Sequence, residues 1–423
     1  VEKWNSLFSL YIHWPFCPYR CSFCPFVALA KHEDFIEIYH KALCNEIEQF
    51  GRQLSFKPPI QTIFLGGGTP SIWPDNLLLD TFGKLKSVFS FAQVQEITIE
   101  INPGTVRIEQ LSVWKKIGIN RLSVGVQALN DSVLQSLNRH HTKDDVYFLL
   151  KHAAPLFENI SVDLIIGLPG VDERSWKKTL KEVVSWPIKH ISLYCLMVHD
   201  QTKLYFAYKN GEVVIPDDDS VAELYDWSVS FLERHGFIQY EVSNFAKPGY
   251  ESQHNMACWE RKSYKGFGLG ACSFDGKIRL QNQKNLMSYI QALEKGEDVI
   301  VFKEQLTDDQ IRLEIIMLGL RTNKGVSYVQ LMEGLSQEEK VRRVEHIEWL
   351  KKNNFMVEQD DQLRLTAKGM AVEHEIVATF FSSTDTSGTD TSGTDISGTD
   401  ISGVDTSGTA AFDIDMAGQD SSE

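Results

Sequence analysis

The residues able to do unusual chemistry lie close to the start of the chain. Cys17, Cys21 and Cys24 form the pattern C-x3-C-x2-C, directly after a run of aromatic and branched residues from Leu7 to Trp14. Three thiolates presented from one loop suit a [4Fe–4S] cluster and leave its fourth iron without a cysteine, open to a small molecule. Structural zinc would require a fourth Cys or His, and zinc sites usually come as two separated C-x2-C knuckles. Pro15, Pro18 and Arg20 flank the cysteines and mark a loop rather than a chance grouping of core thiols. Seven cysteines, an odd number in 423 residues, do not read as a disulfide framework.

Further polar residues recur at regular places. Gly66-Gly67-Gly68-Thr69-Pro70 follows a second apolar run, where glycines let the backbone approach a ligand closely. Glu100, Gln127, Arg139 and Asp163 fall in or just beyond later runs. Taken singly, each reads as a satisfied buried polar group or a solvated strand end. If the runs are parallel strands, these positions share one mouth.

The elements needed to place them are legible. Strand-like runs are Leu7 to Trp14, Thr62 to Leu65, Glu96 to Ile101, Arg121 to Val126, Ile160 to Ile166 and His190 to Val198. Helical patterns lie between them at Asp34 to Phe50, Asp75 to Phe89, Asp131 to Leu137, Thr142 to Leu156 and Glu173 to Ser185. Alternation of this kind implies an α/β fold with a parallel sheet, and six units suggest a partial (β/α)6 barrel over residues 1–215. Residues 216–285 read as a connecting helix, Asp217 to His235, and a polar glycine-rich region. Residues 286–381 read as a small α+β domain: a helical stretch from Leu286 into Thr307 to Arg321, two helices, a hairpin around Asp360-Asp361 and a last helix, winged-helix-like. Residues 382–423 repeat Thr-Asp-Thr/Ile-Ser-Gly, too short and apolar-poor a unit to stack, and read as a disordered tail.

Composition narrows the class. The formal charge is −15, from 57 acidic and 42 basic residues, but nine of the acids lie in the tail, leaving −6 on the body. Such a balance disfavours nucleic acid as a partner. No apolar run approaches the roughly 20 residues of a bilayer span, and the first residues lack the order of a signal peptide, so a cytoplasmic location is expected.

Taken together, the cysteine spacing and Phe23, an aromatic residue before the third cysteine, resemble the radical S-adenosylmethionine (SAM) superfamily. The resemblance implies that SAM chelates the open iron and that an electron from the cluster cleaves it to a 5′-deoxyadenosyl radical. Tyr11-Ile-His-Trp-Pro-Phe-Cys17, Tyr240-Glu-Val-Ser-Asn-Phe-Ala246, His254-Asn255 with Trp259, and Leu318-Gly-Leu-Arg321 are similar to the coproporphyrinogen III dehydrogenase and heme-chaperone branch, over about Ser9 to Val377. That branch implies SAM contacts at Tyr11, Gly67, Gly68, Thr69, Glu100, Gln127, Arg139 and Asp163.

Within the branch, the dehydrogenases carry a fourth cysteine two residues after the third and an N-terminal extension. Here that position is Phe26, and few residues precede the first run. The chain therefore looks most like HemW-type heme chaperones, which bind heme and pass it to client proteins, with His254 in the place of their heme ligand. It departs from their pattern at Cys258, where Tyr is usual, and Cys272, where His is usual; heme iron accepts His or Cys. The expected cofactors are a [4Fe–4S] cluster, SAM and heme. The alternatives are a coproporphyrinogen III dehydrogenase or another radical SAM enzyme, or a scaffold without a cluster.

Overall fold

The computed structural model describes Trp4 and residues 6–381; the tail expectation lies outside them. Six parallel strands form the centre: β1 (Phe8–Trp14), β2 (Ile60–Gly67), β3 (Glu96–Ile101), β4 (Arg121–Gln127), β5 (Asn159–Ile166) and β6 (His190–Cys195), each hydrogen-bonded to the next. They coincide with the six runs to within a few residues.

All seven residues of β1 are buried because both of its faces are covered. Leu10, Ile12 and Trp14 point to the helices, where Trp14 stacks on Trp73 at 4.2 Å. Ser9, Tyr11 and His13 point to the other face. The helix α1 (Ile36–Arg52) buries Tyr39, Leu43 and Ile47, one side of a 3.6-residue repeat, and Tyr39 donates its hydroxyl to the His13 carbonyl at 2.6 Å. The helices α2 (Asp75–Val88), α3 (Ile108–Ile117), α4 (Lys143–Ala153) and α5 (Glu173–Val183) repeat this arrangement along the chain.

The sheet is wider than six strands. Beyond β6 lie the antiparallel β7 (Ile238–Glu241) and β8 (Asn244–Ala246). On the other side β9 (Tyr264–Phe267) pairs parallel to β1, followed by β10 (Cys272–Phe274), β11 (Ile278–Asn282) and β12 (Ile300–Gln305). The order is β12-β11-β10-β9-β1-β2-β3-β4-β5-β6-β8-β7. The expected helical stretch from Leu286 is corrected here: Gly296, at φ 75°, ends a helix over Leu286–Lys295, and the branched run from Val299 forms β12 before a helix over Asp308–Leu320 begins. The sheet thus runs across the expected 285/286 division.

A second core, built from Ile316, Leu320, Leu350, Met356, Leu363 and Phe380, forms the winged-helix-like end. Its hairpin pairs Met356–Gln359 with Gln362–Leu365, and Asp360 and Asp361 both take positive φ, as a two-residue type I′ turn requires. This end is tied to the sheet through Arg321 and Glu241, a buried ion pair at 2.9 Å. Among the described residues no helix is long and apolar enough to cross a membrane.

Candidate functional site

The C-terminal strand ends open onto one cavity of about 560 Å³. Its lining contains Cys17, Cys21 and Cys24 together with Gly67, Gly68, Thr69, Glu100, Gln127, Arg139 and Asp163. Ten of the twelve sequence-derived site residues therefore come together, as strand ends in a parallel sheet must.

The cysteine loop is held by side chains from other elements. Arg20 donates to the carbonyls of Ala28 (2.6 Å), Cys24 (3.2 Å) and Phe26 (3.1 Å), folding the loop around its own guanidinium. Thr69 donates its hydroxyl to Cys17 Sγ at 3.2 Å, and Arg139 points to Cys21 Sγ at 3.6 Å. Burial pushes the Cys17 and Cys24 thiols up to about 11 and about 12, so they become ligands only when a cation displaces the proton. Sulfurs around a single tetrahedral zinc lie about 3.8 Å apart. The three loop sulfurs do not form a set that close; among the described residues such a set occurs elsewhere. Wider spacing suits the larger [4Fe–4S] core.

The glycine loop has a steric reason. Gly67 sits at φ 114°, and a Cβ there would meet the His13 ring at 2.5 Å; one on Gly68 would lie 2.6 Å from the Pro15 carbonyl oxygen. Their amides remain directed: Gly68 donates to Trp14 O (2.7 Å), and Gly67 to Glu100 Oε2 (3.0 Å). Glu100 Oε1 is buried without a partner, an acceptor aimed at the site. Burial pushes Glu100 up to about 8, with Asp163 adding to the rise. Burial likewise raises Asp163, whose carboxylate accepts from Ser123. Gln127 adopts a left-handed backbone at φ 64°, a strained conformation of the kind found where a side chain must be aimed.

This donor set fits an amino acid joined to a nucleoside. Glu100 and Asp163 match ammonium or ribose hydroxyls, Arg139 matches a carboxylate, and the bare Gly67-Gly68 backbone admits a close approach.

Two of the expected residues are placed elsewhere. Tyr11 is buried against Phe64 and donates its hydroxyl to His13 Nδ1 at 3.0 Å, while His13 Nε2 donates to the Val27 carbonyl at 2.9 Å. Tyr11 thus reaches the cysteine loop through His13 and does not line the cavity. His254 lies on the helix Gln253–Trp259, fully buried, with Nδ1 2.8 Å from Thr62 Oγ1 and its ring over Phe64. Burial and Arg121 lower it to about 3, so it stays neutral. Cys258 and Cys272 join Tyr11 and Phe64 in the same apolar cluster. His254 and Cys258 are buried and Cys272 half-buried, and none of the three lines the cavity.

Sequence reasoning did not single out Arg121, Ser123 or Arg20 as site residues. Arg121 opens β4 and reads as a solvated strand end, yet it is 2% exposed and its charge lowers both His190 and His254. The lining also includes Cys195 at the end of β6, Met197 and His199 just after it, and Arg321, Glu373 and His374 of the C-terminal end.

Comparison with known proteins agrees with this geometry. Residues 11–183 match the Radical SAM superfamily and 306–372 the HemN C-terminal domain. Heme chaperone HemW of Bacillus subtilis is 32% identical over 379 residues, covering 88% of this chain and 98% of that protein. Heme chaperone HemW of Synechocystis is 36% identical over 344 residues, covering 79% and 82%. In fold, the chain resembles coproporphyrinogen III oxidase (HemN) from Escherichia coli, a radical SAM enzyme, with a TM-score of 0.77 at 24% identity over 89% of this chain and 90% of the other. The chain belongs to the HemW family of the radical SAM superfamily.

Proposed function

We propose that this chain is a heme chaperone that holds a [4Fe–4S] cluster on Cys17, Cys21 and Cys24, binds SAM beside it, and passes heme to client proteins. The observation that carries the reading is one cavity whose lining includes both the cysteine loop with polar strand ends and sulfur and imidazole groups of the kind that ligate heme iron. When bound, the cluster supplies an iron with an open position and SAM a ligand for it.

The chain's own residues do the positioning. Thr69 and Arg139 orient two of the sulfurs, and Arg20 fixes the loop that carries all three. A ligand ammonium near Glu100 would reverse the effect of burial and fix that carboxylate in its charged form. Cys195, Met197, His199 and His374 also line the cavity and supply sulfur or imidazole, and such atoms ligate heme iron.

A second reading, oxidation of coproporphyrinogen III, would use the same cavity. Phe26 lines it where dehydrogenases of this branch carry a further cysteine, so that sulfur is missing. The test of the heme site is a titration of anaerobically reconstituted protein followed by the Soret band. His199→Ala or His374→Ala should weaken heme binding at least tenfold while a folded His254→Gln protein keeps it; loss with His254→Gln alone would return the site to His254.

A further inference from the structure

One cluster of ligating atoms lies outside the cavity. His40 and Cys44, one turn apart on α1, meet Asp80 of α2: His40 Nε2 to Asp80 Oδ2 is 3.0 Å, Cys44 Sγ to His40 Nε2 is 3.6 Å, and Cys44 Sγ to Asp80 Oδ2 is 3.6 Å. We propose that His40, Cys44 and Asp80 form a binding site for a zinc-class divalent cation, separate from the cluster loop.

The triangle has the dimensions of such a site. Tetrahedral zinc with the usual bond lengths sets nitrogen and oxygen ligands about 3.4 Å apart, and sulfur about 3.6 Å from either. Among the described residues this is the set of three or more His, Cys, Asp or Glu ligand atoms within 4.8 Å of one another. Nitrogen, sulfur and oxygen together suit a borderline cation rather than calcium or magnesium, which take oxygen ligands.

The surroundings prepare His40. Thr81 Oγ1 donates to the Leu77 carbonyl at 3.0 Å, so towards His40 Nδ1, at 3.4 Å, it can only accept. That places a proton on Nδ1, the usual arrangement of a ligating histidine; the Asp80 carboxylate 3.0 Å from Nε2 accepts a hydrogen there in the metal-free chain, and a bound cation would take that hydrogen's place. His40 and Cys44 are each 6% exposed, whereas the Asp80 side chain is 54% exposed. Two ligands are thus fixed in the packed face of α1, and the remaining position faces water. Thiolate, carboxylate and neutral imidazole together balance a doubly charged cation. Glu48, one turn beyond Cys44 on α1, is directed instead to Lys84 at 2.5 Å.

The location gives the site a consequence. α1 follows the cysteine loop and α2 follows the glycine loop, so a cation here would clamp the two helices behind the cofactor site. A bare His40–Asp80 ion pair with an unligated thiol is the competing description, and it binds no metal.

The full chain with its cluster reconstituted anaerobically, so that Cys17, Cys21 and Cys24 are occupied, is exposed to Zn2+, desalted and analysed for metals. About one zinc per chain beyond background is expected, lost in His40→Gln and Cys44→Ser while iron content is unchanged. With Co2+ as probe, the parent protein should show a thiolate-to-cobalt charge-transfer band. Asp80→Asn, a substitution at a half-exposed side chain, should weaken cobalt binding at least tenfold without touching the fold. Absence of zinc and of the cobalt band in the parent protein, or equal zinc in parent and variants, overturns the proposal.

Discussion

Arg139 holds two parts of the site at once: its guanidinium lies 3.6 Å from Cys21 Sγ and donates to the Gly125 carbonyl at 2.7 Å. A Cβ on Gly125 would come within 2.8 Å of the same guanidinium, which would have to shift. Arg139→Met keeps the length and removes the donors. Charged hydrogen bonds of this kind contribute about 1.5–3 kcal/mol each, so SAM should bind the reconstituted variant roughly 10- to 100-fold more weakly by calorimetry. Unchanged affinity would show that Arg139 serves the loop alone.

Glu100 gives a pH dependence of definite sign. Burial raises it from the usual 4.5 to about 8, so between those values the folded chain retains a proton that the unfolded chain has released. Stability of the SAM-free protein should therefore fall as pH rises from about 4.5 to about 8, and the raised Asp163 acts in the same direction. Glu100→Gln should flatten this part of the profile in thermal melts and at the same time weaken SAM binding. An unaltered slope would move its origin to other groups.

The pair Glu241 and Arg321 joins two sequence motifs that lie 80 residues apart. Both side chains are almost wholly buried, and the Glu241 carboxylate also accepts from the Ser243 amide at 3.0 Å. Removing one partner strands the other charge, at a cost of about 3–5 kcal/mol. Arg321→Met should lower the denaturant midpoint strongly, and Glu241→Gln combined with Arg321→Met should cost less than the sum of the single changes. Additive losses would mean that the pair is not coupled.

His254 is a packed residue by its geometry, and its substitution should register first in stability. His254→Ala removes a ring buried between Thr62 and Phe64 and is expected to cost about 2–4 kcal/mol, in the range of other large buried truncations. Chemical denaturation of the reconstituted protein measures this. A loss below about 0.5 kcal/mol would mean that the helix carrying His254 is loosely seated.

The central sheet and the site mouth were legible because parallel strands write themselves as branched apolar runs and place polar residues at their ends. Glu100 and Gln127 follow that rule directly, whereas Asp163 lies inside β5 and Arg139 follows the helix Asp131–Ser136. What was hidden depends on contacts between distant segments. Tyr264-Lys-Gly-Phe267 gives little strand signal inside a glycine-rich stretch, yet it pairs with β1, and Gly266 lets the Cys272 carbonyl of β10 pass on its other side at a distance no Cβ would allow. His254 resembles a ligand in its motif, but the motif does not reveal that the short helix carrying it turns inward, its first amides held by the buried Glu96 carboxylate. Arg121 was illegible because a charge at a strand start ordinarily meets water.

The most direct test of the account is one anaerobic sample of reconstituted protein, divided between a heme titration and an assay with coproporphyrinogen III. Saturable binding of about one heme per chain, with no protoporphyrinogen IX formed, is the expected result. Robust conversion of coproporphyrinogen III to protoporphyrinogen IX, or failure to bind heme, would contradict the assignment as a chaperone.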